Sequence, residues 1–419
     1  TGVDLRWHVL ALVGLITAFG ALVSAPLALV RIIISERQTK TAEARRDYDD
    51  RTLVNQRIQG ALQQLGARYN RTRMGRTVTH GAKTKRVSVL EWEDEPGTLP
   101  EKLTNPEFTD WAPVVFSEPD TQARLAAIGE MQAMVTEHPD KRRAINEHLA
   151  NFIRANAPIE PSEVEDPEKK PKVAPDIQAA ISLIGRSTKN DEIAGLDLRS
   201  TNLAQAELQR AFLENANLRG AQLRGANLRG AQLQRANLSE AQLQEASLYR
   251  AQLDGANLDG AQLQEASLYW ARLEGANLDG ARLEGADLSQ ARLEGANLFR
   301  ARLEGANLFG ARLEGANLSQ ARLEGADLSK AQFDEKTDFT GAIVQCTAVR
   351  SVDLTDVDLT QDQINSIFGD ATTTPPKGME PPSHWSEDDL EYTPWKDDGG
   401  PFHKAWRAWQ KSQGYDPGK

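Results

Sequence analysis

From Leu198 a large apolar residue recurs at every fifth position, through Leu203 and Leu208 to Leu328 and Phe333. Alanine stands two residues before each of these without a gap from Ala206 to Ala331. No α-helix wants this period, because at about 100° per residue five residues turn through roughly 500° and the leucines spiral off any one face. A flat strand fails as well, since side chains alternate with period two and an odd spacing sends successive leucines to opposite faces. The spacing works only if the backbone bends once per repeat, always the same way, so that every leucine turns inward. Such a chain is a solenoid, filled by alternating large and small residues.

The phase slips by one after Phe333 and continues at Phe339, Val344, Val349, Leu354 and Leu359. In this run of Ala-x-Leu-x-x units the chain resembles the pentapeptide repeat proteins. The resemblance implies a right-handed quadrilateral β-helix with four repeats per coil, here over residues 196–362. Residues twenty apart then stack at the inter-strand spacing of about 4.8 Å. Arg272, Arg282, Arg292, Arg302, Arg312 and Arg322 precede core leucines, and Glu274, Glu284, Glu294, Glu304, Glu314 and Glu324 follow the same leucines. Four repeats per coil would place arginine ladders beside glutamate ladders on two opposite faces, a self-neutralising surface. Some members of the family mimic DNA and act on gyrase through a strongly acidic tube, and that function is the alternative reading here. Against it, Leu196–Phe333 holds 17 acids and 15 bases, a near-balance unlike DNA's one charge per about 1.7 Å.

The flanks carry their own signals. Val9–Val30 is free of charge and long enough to span a bilayer, with Trp7 and Arg31 where interfacial anchors belong. The run continues past the cleavage-like "VSA" ending at Ala25, which favours an anchor over a signal peptide. Arg31, Arg37, Lys40, Arg45 and Arg46 follow the run and only Arg6 precedes it, so residues after 31 are expected on the cytoplasmic side. The expected organisation is therefore an anchor over 1–34 and a juxtamembrane helical region over 35–160. A charged, proline-rich linker (161–175), a cap helix (176–195), the β-helix and a C-terminal cap with a Trp-rich tail (363–419) complete it. These flanks resemble those of membrane-anchored bacterial pentapeptide repeat proteins, which implies the bacterial inner membrane as location.

Val54, Ile58, Leu62, Leu65 and Tyr69 fall at helical spacing, which predicts a helix to about Tyr69. The basic stretch after it, Arg68 to Arg86, reads as a solvated loop, and residues 70–118 as an irregular insertion. A straight helix from Arg31 would hold that stretch about 55 Å from the bilayer. Two amphipathic helices separated by Pro139 follow, with stripes at Leu125, Ile128, Met131, Met134 and Val135, and at Ile145, Leu149, Phe152 and Ile153. Asp176 reads as the N-cap of a short helix bearing Ile177, Ile181 and Ile184, placed to cover the first coil. "TQDQINSIFGD" reads as a terminal helix.

No catalytic or metal-binding constellation stands out: the repeats contain no histidine and their carboxylates fall in regular ladders. The chain reads as a non-enzyme with no cofactor. The lone Cys346 rules out an internal disulfide. A net charge of −11 argues against a nucleic-acid partner. A protein partner is expected instead, in a membrane complex, and a homo-oligomer is compatible with the same features. The candidate surface is the aromatic set Tyr249, Tyr269 and Phe309, one column at twenty-residue spacing interrupted by Ser289, with Trp270 beside it. Trp406 and Trp409 on a C-terminal helix are a second candidate. For both sets the alternative is packing against the chain itself.

Overall fold

The structure, a computed structural model, describes residues 37–40, 43, 45, 52–66, 68–82, 85–92, 107–108, 112–159, 173–186, 195–392 and 400–415. The chain divides into two units, residues 1–63 and 64–419. The expected anchor, Val9–Val30, lies outside the described residues, as do most of linker 161–175. Among the described residues no helix is long and apolar enough to cross a membrane.

Helix α1 (residues 52–65) buries Val54, Ile58, Ala61 and Leu65, one face at spacings of three and four. It stops before Gly66, and Tyr69 already lies in strand β1 (Arg68–Ala82). The helix reading to Tyr69 is thus too long. The loop reading of the basic stretch also fails, because β1 is the centre of an antiparallel sheet. Its C-terminal half pairs with β2 (Lys85–Trp92) from Ala82↔Lys85 to Gly75↔Trp92. Its N-terminal half pairs with β4 (Ala112–Pro119), and Val78–Thr79 with the short β3 (Glu107–Phe108). Residues 70–118 therefore hold a four-stranded sheet, not an irregular insertion. β-Branched pairs such as Val78↔Val89 and Thr72↔Val115 line the register, and their restricted χ1 favours extended backbone.

Helices α2 (Thr121–Glu137) and α3 (Arg142–Asn156) are separated by a 3₁₀ turn at Pro139–Lys141. α2 starts on Asp120, whose carboxylate accepts from the Ala123 amide at 2.9 Å, and both apolar stripes are buried except for the half-buried Leu125. Helix α4 (Pro175–Gly185) buries Ile177, Ile181 and Ile184, but its N-cap is Ala174, not Asp176. Asp176 lies one residue inside and takes a hydrogen bond from the Arg124 guanidinium at 3.2 Å, both side chains about 95% buried. Arg124 also donates to Asn156 at 2.9 Å and stacks on Phe152, so one guanidinium ties α2, α3 and α4 together.

This helical layer closes the first coil, as the sequence suggests. The Phe212 amide donates to the Gly185 carbonyl, and Gln178 exchanges two hydrogen bonds with the Glu207 backbone. The Asn202 amide donates to the Ala157 carbonyl, and Arg154 pairs with Asp197. The open ladder edge of the first coil is thus partly paired, which removes a template for misassociation.

In the solenoid the bridges run parallel at a spacing of twenty residues, from Asp197↔Asn217 to Arg312↔Gln332. Twenty residues at five per repeat make four repeats per coil, as expected. Each repeat is a short extended segment and a β-turn. The alanine amide donates back to the preceding leucine carbonyl, as from Ala251 to Leu248 at 2.9 Å, and the second corner residue is left-handed, as in Gly285 (φ +67°). Glycine takes that conformation without steric cost, whereas other residues there are strained. Leucines and alanines of the central coils are essentially fully buried.

The slip after Phe333 is real: bridges change to a spacing of 21 at Asn317↔Asp338. Phe333 itself is only half-buried and meets Phe339 edge-on, while buried Thr337 takes the small-residue position and donates to the Leu313 carbonyl. The ladder also outlasts the expected end at 362. It continues through Ala348↔Phe368 and Asp353↔Thr374, with α5 (Gln361–Asn365) set into the path by a Thr360–Gln363 capping box.

Candidate functional site

The four-repeat coil defines four corners. The corner formed by the residues after Leu208, Leu228, Leu248, Leu268, Leu288 and Leu308 carries the aromatic candidates. Tyr249 and Tyr269 lie against each other, tilted by 33° with ring centroids 5.7 Å apart, and Trp270 meets Tyr269 edge-on at 6.1 Å. The Arg229 and Arg250 guanidiniums lie over Tyr249, at 4.9 and 5.1 Å, and Arg250 also reaches Trp270 at 5.7 Å. Tyr249 and Tyr269 are half-buried by these contacts, whereas Trp270 is 48% exposed. The twenty-residue spacing had placed the rings together. It had not singled out the arginines, although Arg229 precedes Tyr249 by the same twenty residues and Arg250 precedes Trp270 likewise.

The column does not continue freely to Phe309. Ser289 is buried and its hydroxyl donates to Asp287. Phe309 is stacked face to face with Tyr392, centroids 4.7 Å apart, and Lys330 lies over its ring. At Phe309 the alternative of self-cover applies.

It applies also to the tryptophans of α6 (Gly400–Ser412). Phe402 is fully buried and Trp406 nearly so, in a cluster with Ala348 and Phe368. The Trp406 indole and the Gln410 amide both donate to the Cys346 carbonyl, at 2.8 and 3.2 Å. Trp409 stacks on His384 at 4.8 Å and packs against Phe368. The aromatic stripe therefore docks on its own β-helix, and Trp406 and Trp409 are cap residues, not a free recognition surface. Trp385 adds to the closure, donating to the Ile367 carbonyl at 3.0 Å while it packs on Gly369. Arg350, mostly buried, ties Asp370, Asp389 and the Leu390 carbonyl.

Under α6 runs a groove of about 1240 Å³ whose wall includes Glu284, Glu304, Glu324 and Asp327, facing Arg407 and Lys411. Asp327 is buried, and burial pushes its carboxyl pKa up, opposed by hydrogen bonds from Ser329 and by the charge of His403 when protonated. His403 Nε2 lies 3.6 Å from it. Tyr392 is likewise pushed above the usual phenol range, first by burial and then by Asp327 and Asp287. The groove's carboxylates are part of the charge lattice. Arg302 meets Glu284 and Glu304, and Arg322 meets Glu304 and Glu324, all within 3.0–3.4 Å. On the opposite face Arg292 meets Glu274 and Glu294, and Arg312 meets Glu294 and Glu314. The expected neutralisation holds, each arginine bridging two coils.

The repeats match the family model described as "Pentapeptide repeats", in eight copies over residues 197–235, 231–268, 266–305 and 301–344. Among curated proteins none matches. Among solved structures the chain is similar to HetL of the cyanobacterium Nostoc, a pentapeptide repeat protein involved in heterocyst differentiation regulation. The two are 34% identical over 37% of this chain and 82% of HetL, with a TM-score of 0.23. A pentapeptide repeat protein of Cyanothece is 40% identical over 25% of this chain and 62% of its own, TM-score 0.16. Full-length QnrB1, a plasmid-mediated fluoroquinolone resistance protein, is 19% identical over 42% of this chain and 92% of its own, TM-score 0.17. With its five-residue lattice and the family match over 197–344, the chain belongs to the pentapeptide repeat proteins.

Proposed function

We propose that the protein is a non-catalytic scaffold, anchored in a membrane through Val9–Val30, that presents its rigid β-helix to a protein partner as an accessory or assembly component of a membrane complex. The observation that carries this reading is the charge lattice. Arg292, Arg302, Arg312 and Arg322 each meet a glutamate of the preceding coil, Arg272 meets Asp254 there, and Arg282 meets Glu284 of its own repeat. A surface organised this way holds shape and spacing, its carboxylates committed to arginines in a repeating pattern. The uncharged run at 9–30 and the basic residues after it support anchoring with the bulk of the chain in the cytoplasm. The gyrase-directed alternative fits less well: two faces carry columns of arginine, where a DNA mimic needs uninterrupted negative charge.

The test is fractionation. In a bacterial host the full chain should stay with membranes through an alkaline carbonate wash, and protease added outside intact spheroplasts should spare the repeats. Release by carbonate, or digestion from outside, refutes the anchored scaffold as stated. Recovery of gyrase subunits alone after detergent solubilisation and affinity capture would favour the alternative.

A further inference from the structure

We infer that the corner around Tyr249, Tyr269 and Trp270 is a docking site for an acidic, aromatic-containing segment of a partner protein, recognised by Arg210, Arg229 and Arg250. The inference rests on the scaffold reading and names the chemistry of what the scaffold holds.

Three observations converge on it. First, the arginines here are unpaired, while those at neighbouring corners are paired. Arg219 and Arg224, on the two preceding corners of the same coil, reach Glu240 and Glu245 at 2.8 Å. Arg272 is held by Asp254 and Glu274. Among the described residues, Arg210, Arg229 and Arg250 meet no carboxylate, and all three are exposed. The nearby Glu207 is engaged by Asn227 and Gln209 instead.

Second, the three guanidiniums are gathered. Arg210 lies across the turn of the next coil, its Cγ 3.6 Å from where a Cβ on Gly230 would stand, which brings it beside Arg229. Arg229 and Arg250 both lie over the Tyr249 ring, and Arg250 bridges from it to Trp270. Stacking on rings fixes the guanidinium planes while leaving their N–H edges outward, the arrangement that suits bidentate carboxylate recognition.

Third, Trp270 is a large aromatic, 48% exposed, on a left-handed corner (φ +60°), whereas glycine stands at all three corners that follow it, Gly275, Gly280 and Gly285. The corner is strained for a bulky residue, and beside the contacts of Arg250 and Tyr269 about half of Trp270 stays exposed. An exposed tryptophan beside fixed arginines is the usual make-up of an interface anchor.

The occupant is argued from charge and shape. The corner offers three cations over about two coil spacings, which matches two or three carboxylates and falls short of the long basic stripe that nucleic acids draw on. The Tyr249 ring is already faced by a guanidinium and by Tyr269, so it is not open as a platform for stacked bases. Trp270 is open to one more ring.

The experiment is fluorescence anisotropy with the full chain in detergent, using a short labelled peptide alternating Glu and Tyr. A Lys–Tyr peptide of equal length and an oligothymidine serve as comparisons. The Glu–Tyr peptide should bind, weakening as salt rises from about 50 to about 200 mM. The Arg229→Gln/Arg250→Gln double variant and Trp270→Ser should each weaken it by about tenfold or more. Arg300→Gln, which removes the guanidinium stacked on Phe299 at another corner, should not. Melting curves establish that the variants fold. Absence of Glu–Tyr binding, equal binding of the Lys–Tyr peptide, or insensitivity to the corner variants overturns the inference. Tighter binding of the oligothymidine overturns it in favour of a nucleic-acid surface. None of these outcomes touches membrane fractionation, so failure here is distinguishable from failure of the scaffold reading.

Discussion

Leu273 stands at the middle of the tube, fully buried, and its amide donates to the Arg292 carbonyl at 2.7 Å while the Arg272 amide donates to the Ala251 carbonyl at 2.9 Å. Truncation to alanine deletes three methyl or methylene-type groups in a place that cannot collapse, because the ladder fixes the distance between coils. Leu→Ala costs about 2–5 kcal/mol, rising with the cavity that remains. A lattice with hydrogen bonds on both sides of every coil belongs in the upper half, about 4 kcal/mol. Solenoid stability is a chain of nearest-neighbour terms, so the loss should be concentrated in the coils that share the cavity. Since every 1.4 kcal/mol is a factor of ten, amide hydrogen exchange of Leu253, Leu273 and Leu293 should accelerate by about a thousandfold in the regime where opening is at equilibrium. Amides of α2 and α3 should keep their protection. Gln262→Lys, on a half-exposed outward position, should change exchange by less than about twofold, as surface substitutions do. Equal acceleration in both variants would refute the inward–outward assignment of the repeat. Uniform acceleration over the whole chain would refute the nearest-neighbour account.

Three further outcomes are expected. Asp176→Ala leaves Arg124 as a buried charge with its carboxylate partner removed and should cost about 3–5 kcal/mol, read by chemical denaturation. A loss under about 1 kcal/mol would mean that water reaches the site. Asp327→Asn should stabilise the C-terminal cap at mildly alkaline pH. The folded-state pKa of Asp327 is raised, so its protonated form is the one the fold favours. Stability linked to it is present below the ordinary carboxylate pKa and declines as pH rises through the elevated folded value. The variant's advantage should therefore shrink on acidification, and a pH-independent difference in melting temperature contradicts the assignment. Converting Arg272, Arg292 and Arg312 together to Gln leaves Glu274, Glu294 and Glu314 without the arginines that bridge them. Single exposed pairs contribute only about 0–1 kcal/mol, so the triple variant should melt lower mainly at low salt and recover as salt is added. Loss of stability that salt does not restore would point to packing by the arginine stems.

The solenoid was legible because its signal is geometric: a five-residue period admits one class of backbone, and the twenty-residue column arithmetic then assigned every face. Residues 68–119 were not. Arginine and threonine recur along β1 with few apolar residues, which resembles a solvated segment until β1 is seen between two pairing partners. Asp176 illustrates a different limit. Polar residues near a helix start read as caps, and only the approach of Arg124 from fifty-two residues away gives Asp176 its actual role. The tail shows a third. Phe402, Trp406 and Trp409 announce an apolar face, but helical spacing cannot say whose surface that face meets. For the same reason Phe309 looked like part of an open column, while Tyr392, distant in sequence, covers it.

The twenty-residue stacking has a consequence for how the molecule can change length. Removing or duplicating Leu273 to Arg292 returns every column to its own corner and alters only the height, by about 4.8 Å. Removing ten residues instead rotates all that follows by half a turn. Arginines would still follow arginines, since Arg272 and Arg282 head columns on opposite faces, so the core and the charge lattice would tolerate the cut. The C-terminal cap would keep its seat but move as a block: Phe309, Asp327 and the docked α6 would swing to the side away from Tyr249 and Trp270. The tube thus behaves as a gear whose teeth permit two settings, and only whole-coil steps keep its two ends in phase.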